Sequence, residues 1–235
     1  MRPRAVALLL PALLAAPLSA QDLPQERPRN VSELWVSAAV ELKPLHKTRG
    51  RQYEKRFYRK FRTTLELGYR SDENLTGGRL FYTILGANYR FERWLRFGIE
   101  HRYNLRDRYN SDSQRTDLQI TLVGDIGRLA VKYQAQGQHE WIPVWKIRDI
   151  LRNEVGLEWN TRKFPLDPYL KAEAFHAFHY TGDRLIGIRY GIGAKLKLGG
   201  GHKFNVGYRY DREVHLPDLR YRSIFSIGYE YEWGG

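Results

Sequence analysis

The 235-residue chain contains no cysteine. That removes disulfide staples, thiolate nucleophiles and zinc–sulfur sites from consideration, so an exported form must be held by a core or by the membrane itself. It also lacks any apolar run after residue 20 of the roughly 20 residues that a membrane-crossing helix needs. A helical membrane protein is thereby excluded. Acidic side chains are outnumbered, with 26 Asp and Glu against 39 Lys and Arg, and mean hydropathy is −0.59. A negative hydropathy does not count against a membrane barrel, because only alternate strand residues would face lipid. What is abundant is aromatic: 16 Tyr, 10 Phe and 6 Trp.

The opening stretch "MRPRAVALLLPALLAAPLSA" has two arginines, an apolar run and small residues before Gln21. It reads as a secretory signal peptide cleaved near Ala20, so that the mature chain leaves the cytoplasm. Residues 21–32, "QDLPQERPRNVS", are polar with two prolines and read as a disordered lead-in. The remainder, 33–235, is expected to form one domain. A formal net charge of +13 would ordinarily suggest nucleic acid as a partner. Export argues against nucleic acid and sets the basic residues against lipid headgroups or lipopolysaccharide phosphates instead.

From Glu33 onward the chain falls into period-two segments separated by turn residues. Strands are predicted near 33–42, 58–71, 79–91, 94–106, 115–125, 128–141, 150–160, 168–180, 184–198, 202–214 and 220–233, with no helical period anywhere. The fold class is all-β. In "RYRSIFSIGYEYEWGG" the odd positions Phe225, Ile227, Tyr229, Tyr231 and Trp233 form one face, opposite Ser226, Gly228, Glu230 and Glu232. The same division sets Phe97 and Ile99 against Arg96 and Glu100, Ile186, Ile188 and Tyr190 against Gly187 and Arg189, and Phe204 and Val206 against Lys203 and Asn205.

A soluble, secreted β-sandwich that binds some ligand would also alternate. Three features favour a transmembrane antiparallel up-and-down barrel of about 10–12 strands. The segments are longer than the ~5–6 residues usual in globular sheets and match the 9–11 that cross a bilayer at a tilt. Aromatics gather at the ends of the apolar faces, as in interfacial girdles. The polar faces carry opposite charges two residues apart with glycines between them. On this reading Phe97, Ile99, Ile188, Tyr190, Phe204, Val206, Phe225, Ile227, Tyr229 and Trp233 face lipid. The lumen is lined by Arg62, Glu66, Arg70, Arg96, Glu100, Arg102, Asp117, Lys132, Glu140, Arg152, Glu154, Glu158, Lys171, Glu173, Arg189, Lys195, Lys197, Arg209, Asp211, Glu230 and Glu232.

Bacterial barrels have short periplasmic turns, longer external loops and usually an even strand count. "FERW", "DIGR" and "LGGGH" serve as short turns; "LRDRYNSDSQ", "IPVWKIRD" and "REVHLPDL" serve as longer loops. They alternate if the C-terminus is periplasmic, and the basic stretch from Lys43 to Arg62 then lies near the periplasmic face. Eleven segments leave the N-terminus on the wrong side. Either 33–42 does not complete a span, giving ten strands, or the basic stretch hides one more, giving the slightly preferred twelve.

Catalysis has little to stand on. No strand offers serine and histidine two apart, the arrangement a membrane lipid-cutting enzyme would use, and His176 and His179 have opposite strand parity. No catalytic, metal or cofactor residue is assigned, and the chain is expected to be a monomer that is not an enzyme. The charged inner face supports ion pairing that fills and stiffens a narrow lumen, or a small pore favouring anions. A lipid-modifying enzyme at the barrel rim is the alternative.

Trp35 opening the first strand, "LELGYR", "FGIEHRYNL", "RNEVGLEW", "DPYLKAEAFHAF" and "DRLIGIRYGIGAKLKLGGGHKFNVGYRYDRE" together resemble domain of unknown function 2490, a family of bacterial outer-membrane β-barrels. The resemblance spans essentially the whole mature chain. It implies an outer-membrane location and a barrel architecture, and no activity, because the family has none established. The final strand, ending in Trp233 and two glycines, also resembles the closing strand that the barrel assembly machinery reads.

Overall fold

The computed structural model describes residues 28–43, 60–75, 77–106, 112–142, 146–161, 164–178, 183–216 and 219–234. Residues 1–27, where the signal peptide and most of the lead-in are predicted, and most of the basic stretch after Lys43 lie outside the described residues, as does His179. Eleven strands follow one another: β1 Arg29–Leu42, β2 Phe61–Ser71, β3 Gly78–Arg90, β4 Leu95–Arg106, β5 Ser113–Ile126, β6 Leu129–Ile142, β7 Lys146–Trp159, β8 Leu166–Phe178, β9 Arg184–Gly199, β10 His202–Glu213 and β11 Arg220–Trp233. Each pairs antiparallel with its sequence neighbour, and β1 closes on β11. A single closed sheet excludes the two-sheet sandwich.

The closing pair is parallel, with Arg29 opposite Arg220 and Leu42 opposite Trp233. Parallel closure accepts an odd number of strands, so no segment is dropped or added. The even count expected from the parity of the links does not hold. β1 also begins at Arg29, inside the stretch read as a disordered lead-in, and β7 begins at Lys146, so that the link "IPVWKIRD" is mostly strand.

We call the end carrying the β3–β4, β5–β6 and β9–β10 turns the hairpin end, and the opposite end the loop end. The β9–β10 turn is made by Gly199, Gly200 and Gly201, all at positive φ. A side chain at Gly201 would come within 2.4 Å of the Glu232 carbonyl, so the turn is fixed by both conformation and space.

Two register shifts redirect side chains at the loop end. Between β2 and β3 the register passes from Arg70–Leu80 to Ser71–Gly78, leaving Arg79 as an extra residue. The bulge lets Arg79 break the alternation and reach Glu33 at 2.8 Å. Between β8 and β9 the register passes from Phe175–Gly187 to His176–Leu185, leaving Ile186 unpaired. Strict alternation places Ile186 on the outer wall; the bulge instead buries it to 7% exposure at the edge of the interior.

Alternation sorts everything else. Leu65, Leu67, Phe81, Leu85, Leu118, Ile120, Ile192 and their outward neighbours are exposed on the outer wall, forming an apolar belt. Trp35, Tyr82, Tyr169 and Ile224 are the large inward residues, each below 10% exposure, and they fill the middle of the barrel.

Candidate functional site

The barrel interior is built by one parity of each strand. In β1 the inward residues include Glu33, Trp35 and Glu41; in β11 they are Arg222, Ile224, Ser226, Gly228, Glu230 and Glu232. Their hydrogen bonds and ion pairs define three levels.

At the hairpin end Lys203 reaches Glu230 at 2.7 Å and Glu232 at 3.1 Å, and Lys43 also pairs with Glu232. Arg62 meets Glu41 at 3.4 Å, Lys195 pairs with Glu158, and Lys197 pairs with Asp167. Lys43 lies just beyond β1, where desolvation, with Arg62 beside it, holds its ammonium below the ordinary lysine range.

At the middle level Glu154 is shared by Arg152 at 3.0 Å, Lys132 at 3.1 Å and Lys171 at 3.6 Å. Arg152 also touches Glu173 at 3.1 Å, and Glu173 receives Arg189 at 3.2 Å. Arg189 continues to Asp211 at 2.7 Å; Asp211 meets Arg222 at 3.4 Å, and Arg222 meets Glu33 at 3.4 Å. This string of alternating charge rises from the middle level to the loop end as it runs through β7, β8, β9, β10, β11 and β1 to Arg79 on β3. Such groups are buried at acceptable cost only when each finds an opposite partner.

At the loop end a cavity of about 180 Å³ opens into the interior. Arg115, Arg189 and Arg222 share its charged wall with Glu140, Asp211 and Glu213, while Phe175, Ile186 and Leu216 supply an apolar one. Deeper in, Trp35 donates its Nε1–H to Glu33 at 2.8 Å, and Tyr82 donates its hydroxyl to Glu66 at 2.9 Å. Tyr169 donates to Asn205 at 2.9 Å and covers Gly193 and Gly207, where a Cβ would stand 2.4 and 2.7 Å from its hydroxyl.

Of the residues assigned to the lumen from sequence, Arg62, Asp117, Lys132, Glu140, Arg152, Glu154, Glu158, Lys171, Glu173, Arg189, Lys195, Lys197, Asp211, Glu230 and Glu232 all stand in ion pairs. Glu66, Glu100 and Arg102 hydrogen-bond to Tyr82, Gln119 and Asn104 respectively. Arg70 and Arg209 lie against aromatic rings, and Arg96 is exposed at the hairpin end. Of the residues assigned to lipid, Phe97, Ile99, Tyr190, Phe204, Val206, Phe225, Ile227 and Trp233 are exposed, while Ile188 and Tyr229 are half-buried.

Sequence reasoning passed over Glu33, Glu41, Arg115, Asp167, Glu213 and Arg222, and gave Trp35, Tyr82 and Tyr169 no inward role. Parity would have reached Glu33, Trp35 and Glu41 together. Nothing in the sequence signals the two bulges that recruit Arg79 and Ile186.

On the outer wall His101 bonds Thr116 at 3.0 Å and His139 meets Asp149 at 2.5 Å. Registers place His101, Thr116, His139 and Asp149 side by side on four consecutive strands. Among the described residues no three acids or histidines converge as a metal site.

A family model described as protein of unknown function (DUF2490) matches residues 34–218, well over half of the chain. The chain belongs to that family. Neither the curated proteins nor the solved structures yield a match. Membership in DUF2490 brings no activity with it, so the interior described above has to carry the functional argument. The matched span starts one residue before Trp35 and ends at the β10–β11 link, so it takes in the interior string of charge except for its Arg222 and Glu33 links at the closing seam.

Proposed function

We propose that this protein is a bacterial outer-membrane barrel, exported by its first twenty residues, whose interior is closed at the waist by an ion-paired and aromatic plug. The observation that carries this reading is the burial of Trp35, Tyr82, Tyr169 and Ile224 on the inward face, at the level where the apolar belt surrounds the barrel. A closed sheet satisfies every backbone group internally, which is what a lipid environment demands. The exposed belt of Leu, Ile, Val and Phe has hydrocarbon as its natural solvent. The role is structural, with lipids and lipopolysaccharide as surroundings, insertion through the barrel assembly machinery, a monomeric state and no catalysis.

The test combines location with conductance. The protein should fractionate with the outer membrane and migrate differently on gels before and after boiling. Purified protein added to planar bilayers should give no discrete conductance steps. A narrow anion-favouring pore is the second reading, favoured by Arg70 and Arg209, which have no carboxylate partner among the described residues; steps with anion selectivity would establish it. Hydrolysis of lipid by the purified barrel would instead point to the outward row from His101 to Asp149.

A further inference from the structure

Arg102 is only 4% exposed, yet it has no carboxylate partner among the described residues. Its Nε donates to Asn104 Oδ1 at 2.7 Å, its guanidinium lies 3.8 Å from the centre of the Tyr82 ring, and its Nη2 meets no acceptor. Arg70 repeats the situation from the neighbouring side. Its guanidinium sits 3.7 Å over Trp35 and 5.4 Å from Tyr82, and its Nε is also without an acceptor. Arg209 and Arg189 flank the same Trp35 ring at 5.2 and 5.3 Å.

The nearby acids pair elsewhere, and Asp117 keeps one buried oxygen, Oδ1, without a donor. Glu66 accepts the Tyr82 hydroxyl, and Asp117 is held through one oxygen by Arg115 Nε at 3.0 Å and Nη2 at 2.8 Å. Arg70, Arg102 and Arg115 lie within electrostatic reach of one another, and Glu100, which accepts from Gln119 at 2.9 Å, makes a third carboxylate beside Glu66 and Asp117, yet none of the three forms an ion pair with Arg70 or Arg102. Arg189 adds no balance, since its own partners are Glu173 and Asp211.

A guanidinium cannot relieve such a position by losing its proton. Contact with an aromatic face recovers a fraction of the lost hydration, and mutual repulsion adds to the cost. A bound anion supplies what is missing. We propose that the waist of the barrel holds a small inorganic anion of the halide or phosphate class between Arg70 and Arg102, in place of the acceptors that Arg102 Nη2 and Arg70 Nε lack. The chemistry selects for size and negative charge: the donors come from several strands around one point, and the surrounding Trp35 and Tyr82 rings leave no room for a long organic body. The site rests on the closed, charged interior and not on the membrane location, so it can fail while the location stands.

Crystals grown with bromide provide the direct test. An anomalous peak within hydrogen-bonding distance of Arg102 Nη2 or Arg70 Nε is the expected result. A water bridging Arg102 Nη2 to the free Asp117 Oδ1, with no bromide there, overturns the proposal. Thermal unfolding in detergent at fixed ionic strength gives the second reading: phosphate or chloride should raise the midpoint with saturation. Arg102→Met and Arg70→Gln should each lose the saturable rise, while Lys203→Met, at the hairpin end, should keep it. A bromide peak without any saturable rise marks an adventitious ion only and counts against the site. A rise that survives in whichever of the two arginine variants folds also counts against it.

Discussion

Arg222 of β11 reaches Glu33 of β1 at 3.4 Å, across the parallel seam that closes the barrel. The same guanidinium holds Asp211 at 3.4 Å and also pairs with Glu213, so one side chain fastens the seam to the preceding hairpin. Arg222→Met should therefore cost about 3–5 kcal/mol, the range for removing one partner of a buried pair. Denaturant unfolding in detergent micelles reads the loss. A cost below about 1 kcal/mol would mean that Glu33 and Asp211 are already solvated.

The seam can be tested by chemistry the chain does not otherwise contain. Ser37 and Gly228 are register partners, and a Cβ built at Gly228 stands 3.4 Å from the Ser37 hydroxyl. The pair Ser37→Cys with Gly228→Cys should oxidise to an intramolecular disulfide and change migration on non-reducing gels. A ten- or twelve-stranded antiparallel closure would set these positions apart and leave two free thiols.

Outward and inward faces make opposite demands on one strand. A lipid-restricted photocrosslinker at Phe225, Ile227 or Tyr229 should label acyl chains, and at Ser226 or Gly228 it should not. Ile227→Arg, on the exposed face, should destabilise by about 2–4 kcal/mol if it lies near the bilayer midplane. Water contact at the three odd positions would place the belt outside a membrane.

The interior tolerates little added volume. Gly193→Ala would bring a methyl group within 2.4 Å of the Tyr169 hydroxyl and 2.5 Å of the Val206 carbonyl, whereas a Cβ at Gly137 meets nothing within 4 Å. Gly193→Ala should cost about 1–3 kcal/mol as an overpacked site, and Gly137→Ala close to nothing. Equal midpoints for the two variants would show that Tyr169 can swing aside freely.

Much of the architecture is legible in the sequence because alternation is a direct projection of a two-sided wall. Phe97, Ile99, Phe225 and Ile227 stand on the outer side, and Glu154, Glu173 and Arg189 stand inside, from parity alone. Strand number was less legible. Hairpin parity assumes that the last pair is antiparallel like the others, and no local residue pattern distinguishes a strand that will close in parallel. Bulges are similarly hidden: Arg79 and Ile186 look like ordinary members of their strands, and only the register of the neighbouring strand reveals them as extra. The aromatic plug was overlooked for a different reason. Aromatics read as girdle residues of the outer wall, whereas the places of Trp35, Tyr82 and Tyr169 are set by the Glu33, Glu66 and Asn205 groups that accept from their polar ends.

The parallel seam also orders events in time. Ten of the eleven strand pairings join sequence neighbours and can form as soon as two adjacent segments exist. The remaining pairing joins Arg29 to Arg220, almost the full length of the described chain. Its ladder cannot begin until the last strand has been made, and closing so long a loop carries the largest chain-entropy cost of any step. Until then β1 presents an unpaired edge. That edge, with Trp35 and Glu33 on it, has to stay sheltered until the last strand arrives to cover it.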